Sequence, residues 1–248
     1  MEIRSFGVGE RMAVCMRRLD SHFGDKAGGR LLLLPIPTTR DNIYITGTSA
    51  EISDILPLVE KGGALVGYAI PPILLAEAQR VGAMVYDAAL DETFLTENAE
   101  LTARGTIGYI LTNYKRDLSE MSVGVIGYGR IGMRLVRWLL LFGAEVTVFT
   151  RRRSLALELC ESGISAVVVG DMTDTRGLDL LINTAPEKQI DGSVLSSQTD
   201  IIDLASGDIF EPSERLIKLP SVPNSYYPKS AGRLYAEGAI RAFGGGEE

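Results

Sequence analysis

Residues 122–153 read SVGVIGYGRIGMRLVRWLLLFGAEVTVFTRRR, and the glycines at 127, 129 and 132 restrict the fold more than any other feature of the chain. They stand directly after an apolar strand pattern, Val123–Ile126. They also open an amphipathic helix pattern that places Ile131, Leu135, Trp138, Leu139 and Phe142 on one face. A second strand pattern, Glu145–Phe149, follows at the distance of a βαβ unit. In that context the first glycine permits a tight turn, the second lets a pyrophosphate approach the backbone, and the third lets the helix close on the strand. The free amides at the helix start favour an anion. Gly127, Tyr128, Gly129, Arg130, Ile131 and Gly132 are therefore expected to hold the phosphates of a dinucleotide.

The far end of the unit indicates which dinucleotide. Domains that prefer NAD close their second strand with Asp or Glu, which accepts hydrogen bonds from the adenosine ribose. Here the strand ends Phe149, Thr150, Arg151, Arg152, Arg153, and no acid appears before Glu158. Guanidinium groups pair with a phosphate in forked geometry. NADP is the expected cofactor, with NAD as the alternative, and Arg151 then Arg152 are the first choices for the extra phosphate, with Thr150 beside them. A solvated basic turn is the plain alternative. Loops after later strands complete the crevice. Asn183 and Thr184 offer polar groups, Ala185 and Pro186 an apolar wall, and Asp203, Ala205 and Ser206 approach the nicotinamide end; each has an ordinary strand-to-loop cap as its competing role.

The 248 residues carry 46% hydrophobic composition, enough for two modest cores. The pattern is α/β throughout: two βα-layer domains, the second a doubly wound parallel Rossmann sheet. A flavodoxin-like N-terminal, substrate-side domain is expected over 1–96. A linking helix over 97–118 carries Leu101, Ile107, Ile110 and Leu111, with Gly105 and Gly108 allowing close packing. The nucleotide domain follows over 119–224, and a last helix in 225–248 is expected to return to the first domain. With 25 Lys and Arg against 32 Asp and Glu, the net charge of -7 argues against a nucleic-acid partner. Neither a secretory leader nor a membrane span is legible, so a cytoplasmic protein is expected. Cys15 and Cys160 read as reduced packing residues in amphipathic helices. No metal site is expected.

His22, the single histidine, falls at a helix end, which removes the commonest general base. Thr38, Thr39 and Arg40 follow a buried strand, a good position for carboxylate recognition. Lys229 and Ser230 stand at a helix start, where a cation opposes the helix dipole and so reads as serving a ligand. A solvated loop charge is the competing role for both Arg40 and Lys229.

The stretches NTAPEKQIDGSVLSSQTDIIDLASG, PSVPNSYYPKSAGRL and GYGRIGMRL, in combination, resemble the A-subunit family of dipicolinate synthase from spore-forming bacteria. The resemblance covers residues 85–240, and the chain departs from the family in a shortened first domain and in loops such as GDIFEPSERL. It implies the two-domain architecture of formate and glycerate dehydrogenases, NADP-dependent oxidation of a dihydrodipicolinate-type precursor in sporulation, a flavoprotein-like B-subunit of dipicolinate synthase for partner, and a homo-oligomer. Arg40 or Lys229 would then orient the substrate carboxylate. Lys229, Tyr226, Tyr227 or a water held by Asp203 are the candidate proton acceptors. Two other readings compete: a dinucleotide-binding subunit without turnover, and a D-2-hydroxyacid dehydrogenase, whose catalytic histidine is not expected in the first helix, where His22 lies.

Overall fold

The computed structural model describes residues 1–24, 28–170, 175–187, 198–205 and 210–244. The chain divides into two compact units, Met1–Asn98 with Tyr227–Glu248, and Ala99–Tyr226. Two α/β units with parallel sheets result, each with its own core.

The first unit contains β1 (Glu2–Ser5), α1 (Glu10–Phe23), β2 (Arg30–Leu33), α2 (Ile52–Ile55), β3 (Ala64–Gly67), α3 (Pro72–Val81) and β4 (Met84–Asp87). Its four strands are parallel and lie in the order β1-β2-β3-β4. A flavodoxin-like sheet runs 2-1-3-4-5, so the expected topology is corrected: the first strand lies at an edge, as it does when the second strand of that order is absent. Strand alternation separates the two faces. Leu32 and Leu65 pack with Ile52 and Ile55 of α2 and Leu74 and Ala78 of α3. Leu33, Val66 and Tyr86 share the opposite register; there Tyr86 meets Tyr235 of the last helix, α8 (Pro228–Gly244). α8 in turn crosses α1 so closely that a methyl group on Gly232 would lie 2.4 Å from the Arg11 carbonyl oxygen.

The helices follow their sequence signals, with one informative exception. α1 opens with Glu10, an acid that suits its dipole, and carries His22 in its last turn, edge-on against Phe23 at 4.6 Å. α3 starts at Pro72 and stops at Gly82, which adopts the left-handed conformation. The stretch SAEISDILPLVEKG, which has a helical pattern, yields only α2 and a 3-10 turn at Leu56–Leu58. Pro57 has no amide hydrogen to continue the ladder.

The division of the chain falls inside α4 (Glu92–Asn113), which begins earlier than the linking helix read from the sequence. Its second part carries Ile107 and Ile110 in the core of the second unit, whereas Leu111 is 53% exposed. Of the two helix glycines only Gly105 is crowded, its added carbon falling 2.4 Å from Val222 of α7 (Val222–Tyr226); Gly108 faces open space.

The second unit continues through β5 (Ser122–Ile126), α5 (Arg130–Leu141), β6 (Glu145–Thr150), α6 (Arg153–Glu161), β7 (Ser165–Val168), β8 (Leu180–Asn183), β9 (Asp200–Asp203) and β10 (Leu216–Lys218). The parallel order β10-β9-β8-β5-β6-β7 is the doubly wound nucleotide-binding order, with its switch point between β5 and β8. α5 buries Gly132, Leu135, Val136 and Leu139, while Phe142, expected on that face, is 41% exposed. Cys15 is buried, but Cys160 is exposed and does not pack in the core; both are free thiols. Among the described residues no helix is long and apolar enough to cross a membrane.

Candidate functional site

At the switch point, three glycines do three different jobs. Gly127 has φ of 87° and donates its N–H to the Phe149 carbonyl at 2.9 Å, turning the chain from β5 into α5. Gly132 lies so close to this turn that a methyl group there would meet the Gly127 oxygen at 2.2 Å. Gly129 is different: nothing among the described residues lies within 4 Å of an added carbon. Protein packing therefore does not require a glycine at 129, whereas a ligand approaching the backbone does. Gly129 is also the N-cap of α5, with no side-chain cap and no acid in the first turn, which leaves the helix amides available to an anion. Tyr128 and Ile131 are half-buried against the core, and Arg130 is exposed.

The loop after β8 supports this turn. The Thr184 hydroxyl donates to the Ile126 carbonyl at 2.8 Å, fastening the loop to the end of β5. Asn183 is 1% exposed and fully engaged: its amide donates to Ala185 O at 3.1 Å and Asp203 Oδ1 at 2.8 Å, and its oxygen accepts from Ala185 N–H at 3.2 Å. Asn183, expected to offer a polar group to the crevice, instead takes the competing cap role; its side chain is consumed in holding two loops. Ala185 is buried and Pro186 exposed. Asp203 Oδ1 also accepts from Ala205 N–H at 3.1 Å, whereas its Oδ2 is buried with no partner among the described residues. A buried carboxyl oxygen without a donor is costly, and it lies at the carboxyl end of β9, where the nicotinamide end was expected. Ser206 and the VLSS stretch lie outside the described residues.

At the end of β6, Thr150 is buried, and its hydroxyl accepts from Arg152 N–H at 3.2 Å, so it shapes the turn. Arg151, Arg152 and Arg153 are all exposed. Arg151 Nη2 lies 3.0 Å from Glu187 Oε2, with side-chain exposures of 59% and 68%. An exposed pair of this kind contributes ~0–1 kcal/mol and yields readily to a stronger partner. Sequence reading missed Glu187 because it reaches Arg151 only through the fold.

The residues expected to bind substrate are placed less favourably. Thr38 is fully buried, its hydroxyl accepting Tyr68 N–H at 3.0 Å; Thr39 donates to Asp41 Oδ1 at 3.1 Å. Asp41 also accepts the N–H groups of Tyr44 and Ile43, which hold its carboxyl below the usual range and order the loop. Both threonines therefore serve the loop, and Arg40 is exposed beside it. Lys229 is 77% exposed and 3.8 Å from Glu10, which matches the competing reading of a surface charge. Ser230 is half-buried in the first turn of α8. Tyr226, 39% exposed, has its phenol pushed up, chiefly by partial burial, which makes it a poorer proton acceptor. Tyr227 offers its backbone carbonyl to Ala231 N–H at 2.8 Å.

A family model described as the NAD binding domain of D-isomer specific 2-hydroxyacid dehydrogenases matches residues 97–190. The A-subunit of dipicolinate synthase from Bacillus subtilis is 30% identical over 150 residues, a match covering 56% of this chain and half the length of that curated relative. The crystal structure of the corresponding dipicolinate synthase A-subunit from Bacillus halodurans superposes with a TM-score of 0.77 at 21% identity, over 100% of this chain and 98% of the other. The apo-structure of D-lactate dehydrogenase from Escherichia coli gives 0.60 at 13% identity, over 100% and 98%. The segment 97–190 thus resembles the NAD-binding domain of such dehydrogenases, and the two-unit fold is shared with these proteins.

Proposed function

We propose that this chain, which resembles the A-subunit family of dipicolinate synthase in sequence and fold as described above, is an NADP-dependent oxidoreductase acting on a dihydrodipicolinate-type carboxylate. The open face at Gly129, beside an uncapped helix start, is the observation that carries the nucleotide reading. The residues present fit the cofactor: the first amides of α5 take the pyrophosphate, and Arg151, released from Glu187, takes the extra phosphate with Arg152. The unpartnered Asp203 oxygen accepts a hydrogen bond or a proton at the reactive end. The cofactor supplies a hydride acceptor. Aromatisation of a dihydropyridine releases one hydride and one proton, and the stability of the aromatic ring lowers the demand on a base. Asp203 is the candidate acceptor, because Lys229 is a surface charge and Tyr226 a poorer acceptor.

Glu187 favours a second reading. A carboxylate beside Arg151 is also able to accept a ribose hydroxyl, as in NAD-binding proteins. Fluorescence titration with NADPH and NADH separates the two. Under the NADP reading Arg151→Asp weakens NADPH by about ten- to a hundredfold and NADH little, and Glu187→Ala tightens NADPH. Equal losses for both coenzymes refute the phosphate assignment. Turnover is followed as NADP reduction with dihydrodipicolinate, alone or with the flavoprotein-like B-subunit; binding without turnover in every combination points to a non-catalytic nucleotide-binding protein.

A further inference from the structure

The buried face of α1 carries one charged side chain. Arg11 is 6% exposed, in line with Cys15 and Leu19 on the side that meets α8. Its Nη2 donates to Asn98 Oδ1 in a long bond of 3.4 Å, and its guanidinium lies 6.0 Å from the centre of the Tyr235 ring. Its Nε is buried with no hydrogen-bond partner among the described residues. The ionisable neighbours are Tyr235, Cys15 and Tyr68, two phenols and a thiol. Burial pushes the Cys15 thiol up to about 12 and the Tyr235 phenol well above its ordinary range, so neither supplies a negative charge at neutral pH. Burial lowers the Arg11 pKa, yet a guanidinium does not lose its proton in a protein. The result is a desolvated cation that no anion among the described residues neutralises, a costly arrangement unless a ligand completes it.

Its position suits a ligand. Arg11 follows the β1 turn, Thr38 and Thr46 follow β2, and Tyr68 follows β3, so all belong to the carboxyl edge of the first sheet, where open α/β sheets take their ligands. Thr46 Oγ1 is also buried without a partner among the described residues. Its loop borders the β1 turn, since a methyl group on Gly47 would touch Val8 at 3.8 Å.

We propose that Arg11 is the carboxylate-binding residue of the first unit, its Nε edge taking an oxygen of the acidic substrate, with the Thr46 hydroxyl a second donor from the adjoining loop. Arg40, which sequence reading favoured, is solvated and does not fill this role. The inference rests on the reading of the chain as an oxidoreductase of small carboxylates and names the group that recognises them.

The test uses the full chain, with pyridine-2,6-dicarboxylate as the probe in calorimetric titration and thermal denaturation. Arg11→Met is expected to bind the probe about ten- to a hundredfold more weakly, to keep its NADPH affinity, and to melt at or above the wild-type temperature because an uncompensated charge has gone. Arg11→Lys, which keeps the charge without the fork, should fall between the two. If Arg11→Met does not fold, Thr46→Val serves as the second variant, with weaker probe binding and unchanged melting expected. Wild-type probe affinity in Arg11→Met, or in Thr46→Val where that variant is used, overturns the proposal, as does a wild-type protein that binds no carboxylate. Loss of melting temperature and of NADPH together in Arg11→Met marks a packing role and also overturns it. A wild-type protein that binds the probe but neither coenzyme instead refutes the cofactor reading while leaving Arg11 assigned.

Discussion

Replacing Gly129 and Gly132 by alanine, one at a time, separates a glycine kept for a ligand from one kept for the fold. At 132 the new methyl group would sit 2.2 Å from the Gly127 oxygen and 3.2 Å from Thr184 Oγ1. The first contact is to backbone and cannot be relieved by rotating a side chain. Overpacking of this kind costs about 1–3 kcal/mol, against a gain of ~1 kcal/mol in helix propensity. Because the methyl group presses on the turn itself, the net loss should lie near the upper end, about 2 kcal/mol. At ~2–4 °C per kcal/mol, the melting temperature should drop by about 4–8 °C. Nucleotide binding should fall with it, since the α5 amides are displaced. At 129 the methyl group meets nothing, and alanine as an N-cap costs only about 1 kcal/mol or less. Gly129→Ala should therefore melt within ~4 °C of the wild type and still bind NADPH at least tenfold more weakly. Thermal denaturation monitored by circular dichroism, together with NADPH fluorescence titration, reads both quantities. Full NADPH affinity in Gly129→Ala would refute the assignment of that open face to the pyrophosphate, and an undisturbed Gly132→Ala would refute the crowding argument.

Two further outcomes follow from burial and charge. In the native state one thiol, Cys160, should react quickly with an aromatic disulfide reagent at pH 8, while Cys15, buried and with its pKa raised to about 12, should react only as the first unit opens; two fast equivalents would contradict this. Although burial acts to raise the Asp91 carboxyl, the N–H of Phe94, the Tyr86 hydroxyl and Arg241 outweigh it and hold the group below its ordinary value. Its contribution is present above the unfolded value of about 4 and lost as pH falls through the lower folded one. Asp91→Asn should thus cost ~1–2 kcal/mol near neutrality, and the difference from the wild type in urea denaturation should shrink as pH is lowered through the unfolded carboxylate range toward the folded value; a constant offset would sink the assignment.

What could be read from the sequence was what depends on neighbours in the chain. α1 matches its stretch because 3.6-residue periodicity, Glu10 and the following glycine all agree, and the roles of Gly127, Gly129 and Gly132 follow from a local strand-turn-helix. Asn183 looked available because its partners, Ala185 and Asp203, come from loop folding and from the neighbouring strand. Glu187 meets Arg151 across two connections that no window joins. Arg11 was within reach: with Cys15 and Leu19 it repeats at four residues along the apolar face, and a charge at such a position is a signal in itself.

The placement of β1 at the margin of the first sheet has a bearing on assembly. A margin offers unused backbone donors and acceptors that recruit foreign strands. Here it spans only Glu2–Ser5, and the charged Glu2 and Arg4 are its exposed members. So short and ionic a border discourages the addition of a foreign strand along β1.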